Sequence, residues 1–453
     1  MDDRVLLEQA AARAIRYHET VNERAVFPPR VAVERLNELG GPLPEQPSDP
    51  TEVLALLDDV GSPATVASTG GRYFGFVTGG ALPATVAANW LAASWDQNVA
   101  YSVMSPVSAK LEEISLGWLL DVLGLPSDTG GAFVTGATMA NFTGLLAARH
   151  AVLQRAGWDA EADGLFGAPP ITVVVGGEAH ASLLKALAMV GLGRNRVVTV
   201  PADGQGRMRA DALPAISAPA IVCVQAGSVN SGSFDPATEI VPWAHEVGAW
   251  VHVDGAFGLW AAASPSFRHL TPGFADADSW ATDAHKWLNV PYDSGLAFVR
   301  EADSLRAAMS QSAAYLPSGG EREPSHFTPE SSRRARGVEV WAALRSLGRL
   351  GLAALVERCC RHATRFAEGL RAAGYDVLND VVLNQVLVSF GDDETTRRAV
   401  AGVQEDGTCW CGGTVWQGRA AMRISVSSWA TTDADVGRSL DAMLRVAADV
   451  RAV

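Results

Sequence analysis

The middle of this chain alternates short runs rich in Val, Ile, Leu and Ala with longer helical runs, and this pattern limits the possible folds most. The strand-like runs are residues 131–134, 171–175, 196–200, 220–225, 249–254, 279–282 and 294–299. Short β-branched strands between helices predict a mostly parallel sheet with helices on both faces. We therefore predict an α/β fold whose large domain occupies residues 71–312 of the 453 residues.

The regions on either side of this domain have different patterns. Residues 1–70 contain two helical runs joined by a Pro-rich stretch at 41–47, which predicts a helical arm lying over another surface. Residues 338–453 begin with a long helical run and are predicted to form a small α/β domain. Its expected strands are 386–390 and 422–426, and its expected helices are 338–370, 392–405 and 433–451.

Residues 313–337 separate the two predicted domains. They are polar, rich in Gly and Pro, and without helical or strand periodicity. Loops of this length in compact proteins are usually functional or disordered. We therefore predict a mobile active-site loop in this stretch.

Two chemically complementary residues follow two of the predicted strands. Lys286 lies in the sequence Thr-Asp-Ala-His-Lys-Trp, and Asp254 ends the apolar run Val-His-Val-Asp. A lysine can hold a cofactor aldehyde as a Schiff base, and a buried carboxylate can keep a pyridine nitrogen protonated. Each residue alone is common at the end of an α/β strand. Together they predict a pyridoxal phosphate (PLP) enzyme.

Two further segments are consistent with this cofactor. His180 follows a β-branched strand, and its imidazole could stack on a pyridine ring or interact with a departing carboxylate; otherwise it is a loop histidine with a backbone partner. Gly136, Ala137 and Thr138 open a helical run, where free backbone N–H groups suit a phosphate. The alternative is an ordinary turn in which Thr138 and Asn141 cap the helix.

These segments resemble the group II PLP-dependent amino acid decarboxylases, a fold type I family that includes aromatic amino acid, glutamate and histidine decarboxylases. The resemblance extends from about Arg72 to Trp429. It is most specific at His285, Lys286 and Trp287, together with the segment 252–256 that precedes them in the sequence. It implies a fold type I enzyme that decarboxylates an L-amino acid.

The resemblance also implies roles for individual residues. Lys286 would form the Schiff base and Asp254 would pair with the pyridine nitrogen. Ala256 would pack beneath the ring and His180 above it. The other implied cofactor contacts are Gly136, Ala137, Thr138, Ser228, Asn230 and His285.

The substrate pocket is less specific. By resemblance it would include residues 73–80 and 95–98, with Phe76, Thr78 and Asn98 as candidate contacts. Arg423 would bind the substrate α-carboxylate from a strand of the small domain, or else lie at a strand edge in solvent. This mixture of side chains suits an aromatic or a small polar substrate equally well, so the substrate stays open.

The loop departs from the family pattern. In the family a loop tyrosine protonates the substrate carbon after carbon dioxide leaves, and counting back from Arg333 places it near Pro324. The candidate replacements are Tyr315, the only tyrosine in the loop, and His326. We expect an amine as the main product. The alternatives are oxidative deamination to an aldehyde, transamination and retro-aldol cleavage.

Composition limits the partners. The chain has 36 basic and 50 acidic residues and no basic block, which argues against nucleic acid binding and against a non-catalytic PLP-binding regulator with a DNA-binding segment. No apolar stretch approaches the roughly 20 residues needed to span a bilayer, and the acidic N-terminus does not resemble a signal peptide. We expect a cytoplasmic protein that does not bind membranes.

Two other expectations concern metals and assembly. The five cysteines are odd in number and lack the paired spacing of a zinc site, so we expect free thiols and no metal. The family resemblance implies a homodimer in which residues 1–70 pack on the partner subunit and the active site lies at the interface.

Overall fold

The computed structural model describes residues 3–310 and 322–452. Its strands are β1 (Gly130–Val134), β2 (Thr172–Gly176), β3 (Val198–Val200), β4 (Ala220–Gln225), β5 (Trp250–Asp254), β6 (Ser279–Asp283), β7 (Gly295–Val299), β8 (Asp376–Val377), β9 (Gln385–Ser389), β10 (Gly412–Trp416) and β11 (Arg419–Ser425). Its helices are α1 (Asp3–Thr20), α2 (Arg30–Arg35), α3 (Pro50–Leu56), α4 (Ser62–Ala64), α5 (Pro83–Trp95), α6 (Pro106–Leu123), α7 (Ala137–Arg155), α8 (Ala160–Asp163), α9 (Ala181–Met189), α10 (Ala237–Glu246), α11 (Ala302–Met309), α12 (Arg336–Ala372), α13 (Asp393–Asp406) and α14 (Asp433–Ala452).

Within the described residues, the predicted strands of the large domain all form and join in one sheet of order β1-β7-β6-β5-β4-β2-β3. The pairs from β6 to β3 are parallel, whereas β7 runs antiparallel to both of its neighbours. All five residues of β5 are buried, which requires cover on both faces because successive side chains point to opposite sides. The predicted α/β fold with a mostly parallel sheet is confirmed.

Glycines allow the loop before α7 to approach the sheet closely. A Cβ atom on Gly295 of β7 would lie 2.4 Å from the Gly136 Cα atom, so a side chain is excluded there. Gly136 directly precedes α7, which packs on β5, β6 and β7. This packing brings the start of α7 to the end of the sheet where β5 and β6 terminate.

The described chain divides into two compact units. One comprises residues 79–364 and 379–386 and contains the large sheet. The other comprises the residues up to 78 together with 365–378 and those from 387 onward. Its sheet has the order β10-β11-β9-β8, and α13 packs on β11 and α14. In this unit the Arg72 guanidinium donates to the carbonyls of Asn22 and Thr408, which joins the N-terminal segment to the C-terminal one.

Two details of the C-terminal part differ from the sequence prediction. Strand β10 was not predicted, because its first two residues are glycines, which are uncommon in strands. The predicted single helix over 338–370 is interrupted at Gly348, whose φ of 59° and ψ of −179° lie outside the helical region. Within the described ranges, every helix is too short or too polar to cross a lipid bilayer.

A buried ion pair joins α6 to the segment before α12. The Glu112 Oε2 and Arg333 Nη2 atoms are 2.6 Å apart, and both side chains are 1% exposed. The Arg333 guanidinium also donates to the Val99 and Phe133 carbonyls. Removing one partner of such a pair leaves an uncompensated buried charge.

We expect Glu112→Ala to lower the free energy of unfolding by about 3–5 kcal/mol, because Arg333 loses its carboxylate. The neighbouring Glu113 is exposed and pairs with the exposed Lys110, so Glu113→Ala should cost only about 0–1 kcal/mol. Urea unfolding of both variants measures the difference. Equal losses would contradict the assigned importance of the buried pair.

Candidate active site

Lys286 follows β6 with its side chain only 17% exposed. Its Nζ atom lies 3.1 Å from the Asp283 Oδ2 atom. The sequence contains three lysines, all within the described ranges, and the other two, Lys110 and Lys185, are exposed. Gly79 allows backbone to pass beside this lysine, since a Cβ atom there would lie 1.6 Å from the Lys286 carbonyl oxygen. Lys286 is therefore the lysine whose amine is enclosed by the protein.

Asp254 is buried at the carboxyl end of β5. Its Oδ2 atom accepts a hydrogen bond from Asn141 Nδ2 at 3.2 Å, and its Oδ1 atom accepts one from the Ala256 N–H at 3.3 Å. Burial raises the pKa of Asp254, whereas the nearby charges of His180 and Lys286 oppose this rise. A cation beside this carboxylate would therefore favour its ionised form.

His180 caps the N-terminus of α9. Its Nδ1 atom accepts a hydrogen bond from the Ser182 N–H at 3.2 Å and lies 2.7 Å from the Ser182 Oγ atom. The backbone partner considered from the sequence is therefore present. Because Nδ1 accepts, we assign the proton of the neutral imidazole to Nε2. This contact holds the Nδ1 edge of the ring at the start of α9.

The start of α7 already binds an anionic group of the chain itself. The Ala137 N–H donates to Asp283 Oδ1 at 2.6 Å, and His285 Nε2 lies 3.4 Å from the same oxygen. A Cβ atom on Gly136 would lie 3.1 Å from His285 Cε1, a tight contact, so glycine lets the imidazole lie close to this turn. Helix N-terminal N–H groups and an imidazole suit a phosphate, which would have to displace the Asp283 carboxylate from the Ala137 N–H.

The alternative interpretation, in which Thr138 and Asn141 cap the helix that follows Gly136, was wrong. Among the described residues, neither Thr138 nor Asn141 caps α7: the N-cap residue is Gly136, and Asn141 lies within the helix, fully buried, instead of at its end. Its amide contacts His252 and Asp254. Sequence analysis also did not identify Asp283 as a site residue, although its place three residues before Lys286 at the end of a strand was a usable signal.

Three other predicted cofactor residues lie in loops after β4 and β5. The Ala256 carbonyl accepts a hydrogen bond from the Asp283 N–H at 2.9 Å, which joins the ends of β5 and β6. Ser228 is buried, and its Oγ atom accepts a hydrogen bond from the Asn230 N–H at 3.4 Å. Thus Ala256 is tied to the segment that carries Lys286, while Ser228 and Asn230 form a turn after β4.

The predicted substrate residues fall in both units. Asn98 belongs to the unit with the large sheet, where its Oδ1 atom accepts from the Arg333 N–H at 3.2 Å and its Nδ2 donates to Ser332 Oγ at 3.4 Å. Phe76 and Thr78 belong to the other unit. Phe76 is 65% exposed and its ring stacks 5.5 Å from that of Trp410, whereas Thr78 is buried.

Arg423 lies on β11, which is an interior strand between β10 and β9. Burial lowers the pKa of the Arg423 guanidinium. The alternative of a strand-edge arginine in solvent is therefore wrong. Its proposed contact with a substrate carboxylate stays a prediction.

The structure describes only one of the two candidate proton donors, His326. Tyr315 lies outside the described residues. His326 lies in a short 3₁₀ helix, Pro324–Phe327, where it packs edge-on against Tyr101 at 6.3 Å between ring centroids. Burial, followed by the charge of Arg306, lowers the pKa of His326. The protonated fraction of His326 near neutral pH is therefore smaller than that of a free histidine.

Comparison with known proteins identifies the family. Residues 44–391 match the family model of the pyridoxal-dependent decarboxylase conserved domain. The chain is a member of this family. This membership confirms the predicted family, the PLP cofactor and the class of enzyme, a PLP-dependent amino acid decarboxylase.

Individual relatives of this decarboxylase agree with the assignment. Tryptophan decarboxylase 1 of Oryza sativa subsp. japonica is 28% identical over 72% of this chain and 70% of its own length. An aromatic-L-amino-acid decarboxylase of Bacillus atrophaeus is 27% identical over 74% of this chain and 70% of its own length. A crystal structure of Oryza sativa TDC with PLP and tryptamine has a TM-score of 0.90 at 22% identity, covering 99% and 98% of the two chains, which shows a shared fold.

Proposed function

We propose that this protein decarboxylates an L-amino acid with PLP bound covalently to Lys286. The observation that carries this proposal is the enclosed amine of Lys286, which follows β6, the strand paired with the β5 strand that ends in the buried Asp254. When bound, PLP supplies the electron-withdrawing ring that makes loss of carbon dioxide from the amino acid possible. The other two lysines are exposed, so neither offers an enclosed amine.

The surrounding residues would bind and orient the cofactor. Asp254 would hold a proton on the pyridine nitrogen, and His180 would stack on the ring. The N–H groups at the start of α7, together with His285, would bind the phosphate. These groups provide the orientation and fixed charge that positioned catalytic sites supply.

The test of this proposal is the site of covalent attachment. Borohydride reduction of the purified enzyme, followed by peptide mapping, should place the cofactor on Lys286. Finding the reduced cofactor on Lys110 or Lys185 would refute the assignment. The small number of lysines makes this result unambiguous.

We further propose that the enzyme is a cytoplasmic homodimer. Over its described residues, helix α1 buries no side chain, and Leu7 and Ile15 of this helix are 66% and 50% exposed. A second subunit would cover such apolar surface. Light scattering during size-exclusion chromatography should give twice the chain mass of 47.6 kDa, and a monomer would contradict the proposal.

The substrate is proposed to be an aromatic L-amino acid. The names of the relatives from rice and Bacillus atrophaeus refer to tryptophan and to aromatic amino acids. Aromatic amino acids are therefore the first to test, with small polar ones as the alternative. We propose an amine as the main product.

The loop histidine leads to a prediction about product composition. If His326 protonates the substrate carbon after carbon dioxide leaves, His326→Gln should raise the share of aldehyde formed with oxygen. The aldehyde share of the unmodified enzyme should also rise with pH, because deprotonation of His326 removes the proton donor. The lowered pKa of His326 moves this deprotonation to a lower pH than that of a free histidine. Amine, aldehyde and oxygen uptake are measured across a pH series.

His269 supplies the control for this experiment, because it is exposed at the surface. His269→Gln should leave the product ratio unchanged. An unchanged ratio in His326→Gln as well would remove His326 from the mechanism. Tyr315→Phe would then test the other candidate donor.

A further inference from the structure

A chain of buried hydrogen bonds ends on Asp254. Trp250 Nε1 lies 2.8 Å from Ser279 Oγ, and Ser279 Oγ lies 2.8 Å from His252 Nδ1. His252 Nε2 lies 2.9 Å from Asn141 Oδ1, and Asn141 Nδ2 lies 3.2 Å from Asp254 Oδ2. The first four side chains are completely buried and Asp254 is 3% exposed. Water therefore does not compete for these bonds.

The chemistry of the groups gives this chain one direction. Among the described residues, the Ser279 hydroxyl contacts only Trp250 Nε1 and His252 Nδ1. The indole can only donate, so the buried O–H of Ser279 is satisfied by donating to His252 Nδ1. The His252 proton then lies on Nε2 and is donated to Asn141 Oδ1. Burial lowers the pKa of His252 to about 3, so the ring is neutral near pH 7, as this arrangement requires.

We propose that Trp250, Ser279 and His252 fix the amide of Asn141 with its N–H group toward Asp254, and that Asn141 is thereby a positioning residue for the cofactor's ring nitrogen. If the amide were reversed, Asn141 would direct its Oδ1 atom at the Asp254 carboxylate. That contact is tolerable only when Asp254 is protonated, and a protonated Asp254 binds a pyridinium poorly. The inference rests on the proposed pairing of Asp254 with PLP.

Gly144 supports this inference independently. A Cβ atom on Gly144 would lie 2.7 Å from His252 Cε1 and 2.9 Å from His252 Nδ1. Glycine inside a helix costs about 1 kcal/mol relative to alanine. The absence of a side chain at this position is therefore what allows the imidazole to lie against α7 and reach Asn141, one turn earlier in the helix.

The test compares two ligands that differ only at the ring nitrogen. Equilibrium binding of PLP and of its analogue with carbon in place of the ring nitrogen is measured for Gly144→Ala and Ser279→Ala. Gly144→Ala displaces the imidazole, and Ser279→Ala removes its proton donor without adding volume. Both variants should weaken PLP binding about tenfold or more, the effect of losing a hydrogen bond to a charged group. Binding of the carbon analogue should change less than about twofold, because that ligand makes no demand on the charge of Asp254.

Gly117→Ala is the matched control, because Gly117 also lies inside a helix and a Cβ atom added to it would meet no described atom within 4 Å. It should bind both ligands normally. Equal weakening of both ligands in Gly144→Ala and Ser279→Ala would indicate a purely structural effect, and unchanged PLP affinity would also overturn the inference.

Asp254→Ala separates this inference from the proposed function. If that variant loses the preference for PLP over the carbon analogue while Gly144→Ala and Ser279→Ala keep it, only the positioning role of Asn141 fails. If Asp254→Ala also keeps the preference, the pairing of Asp254 with the ring nitrogen fails.

Discussion

Lys286→Ala should abolish both the release of carbon dioxide and the borohydride-stable adduct with PLP. The physical reason is the lack of a substitute, since the other lysines are Lys110 and Lys185, and both are exposed. A covalent linkage requires an amine held at the cofactor aldehyde, and alanine has none. Carbon dioxide release and the mass of the reduced protein measure the two effects.

Lys185→Ala is the control for this variant. It removes an exposed lysine from α9, the helix that His180 caps, and should keep activity close to that of the unmodified enzyme. Substantial carbon dioxide release by Lys286→Ala, or its loss in Lys185→Ala, would show that the lysine has been assigned wrongly.

Asp254→Ala should lower the rate of decarboxylation by a factor of about 10²–10³, which is typical of losing one preorganised charged group. The carboxylate would no longer hold a proton on the pyridine nitrogen, so the ring would withdraw electrons less effectively. The variant should also bind PLP more weakly. Steady-state rates at saturating PLP separate the loss of catalysis from the loss of cofactor.

Asp254→Asn shows whether charge or shape is responsible. Asparagine keeps the volume of the side chain and can still accept from Ala256, but it carries no charge. We expect this variant to be impaired almost as strongly as Asp254→Ala. Near-normal activity of Asp254→Asn would show that another group protonates the ring or that protonation is not required.

The fold was largely predictable because its signals are local. Strands β4, β5 and β6 are short apolar runs between helices, and their burial on both faces requires this composition. The positions of Asp254 and Lys286 at or after the ends of β5 and β6 follow from the same pattern, since ligands bind at the carboxyl ends of parallel strands. The roles of these two residues remain predictions.

The contacts within the site were not predictable, because they join residues far apart in the chain. Asp283 and Ala137 are 146 positions apart, and Asn141 and His252 are 111 apart. A side-chain contact of this kind leaves no periodic pattern in the sequence. Asn141 was considered only as a helix cap for this reason, since the local sequence contains nothing that points to His252.

The most direct measurement of the central claim is release of labelled carbon dioxide from a panel of L-amino acids carrying a labelled carboxyl group, aromatic ones first. We predict that the unmodified enzyme with PLP releases labelled carbon dioxide from at least one of them, and that Lys286→Ala releases none. If no amino acid in the panel yields carbon dioxide while PLP is bound, the decarboxylase assignment is contradicted and transamination or retro-aldol cleavage becomes the better account.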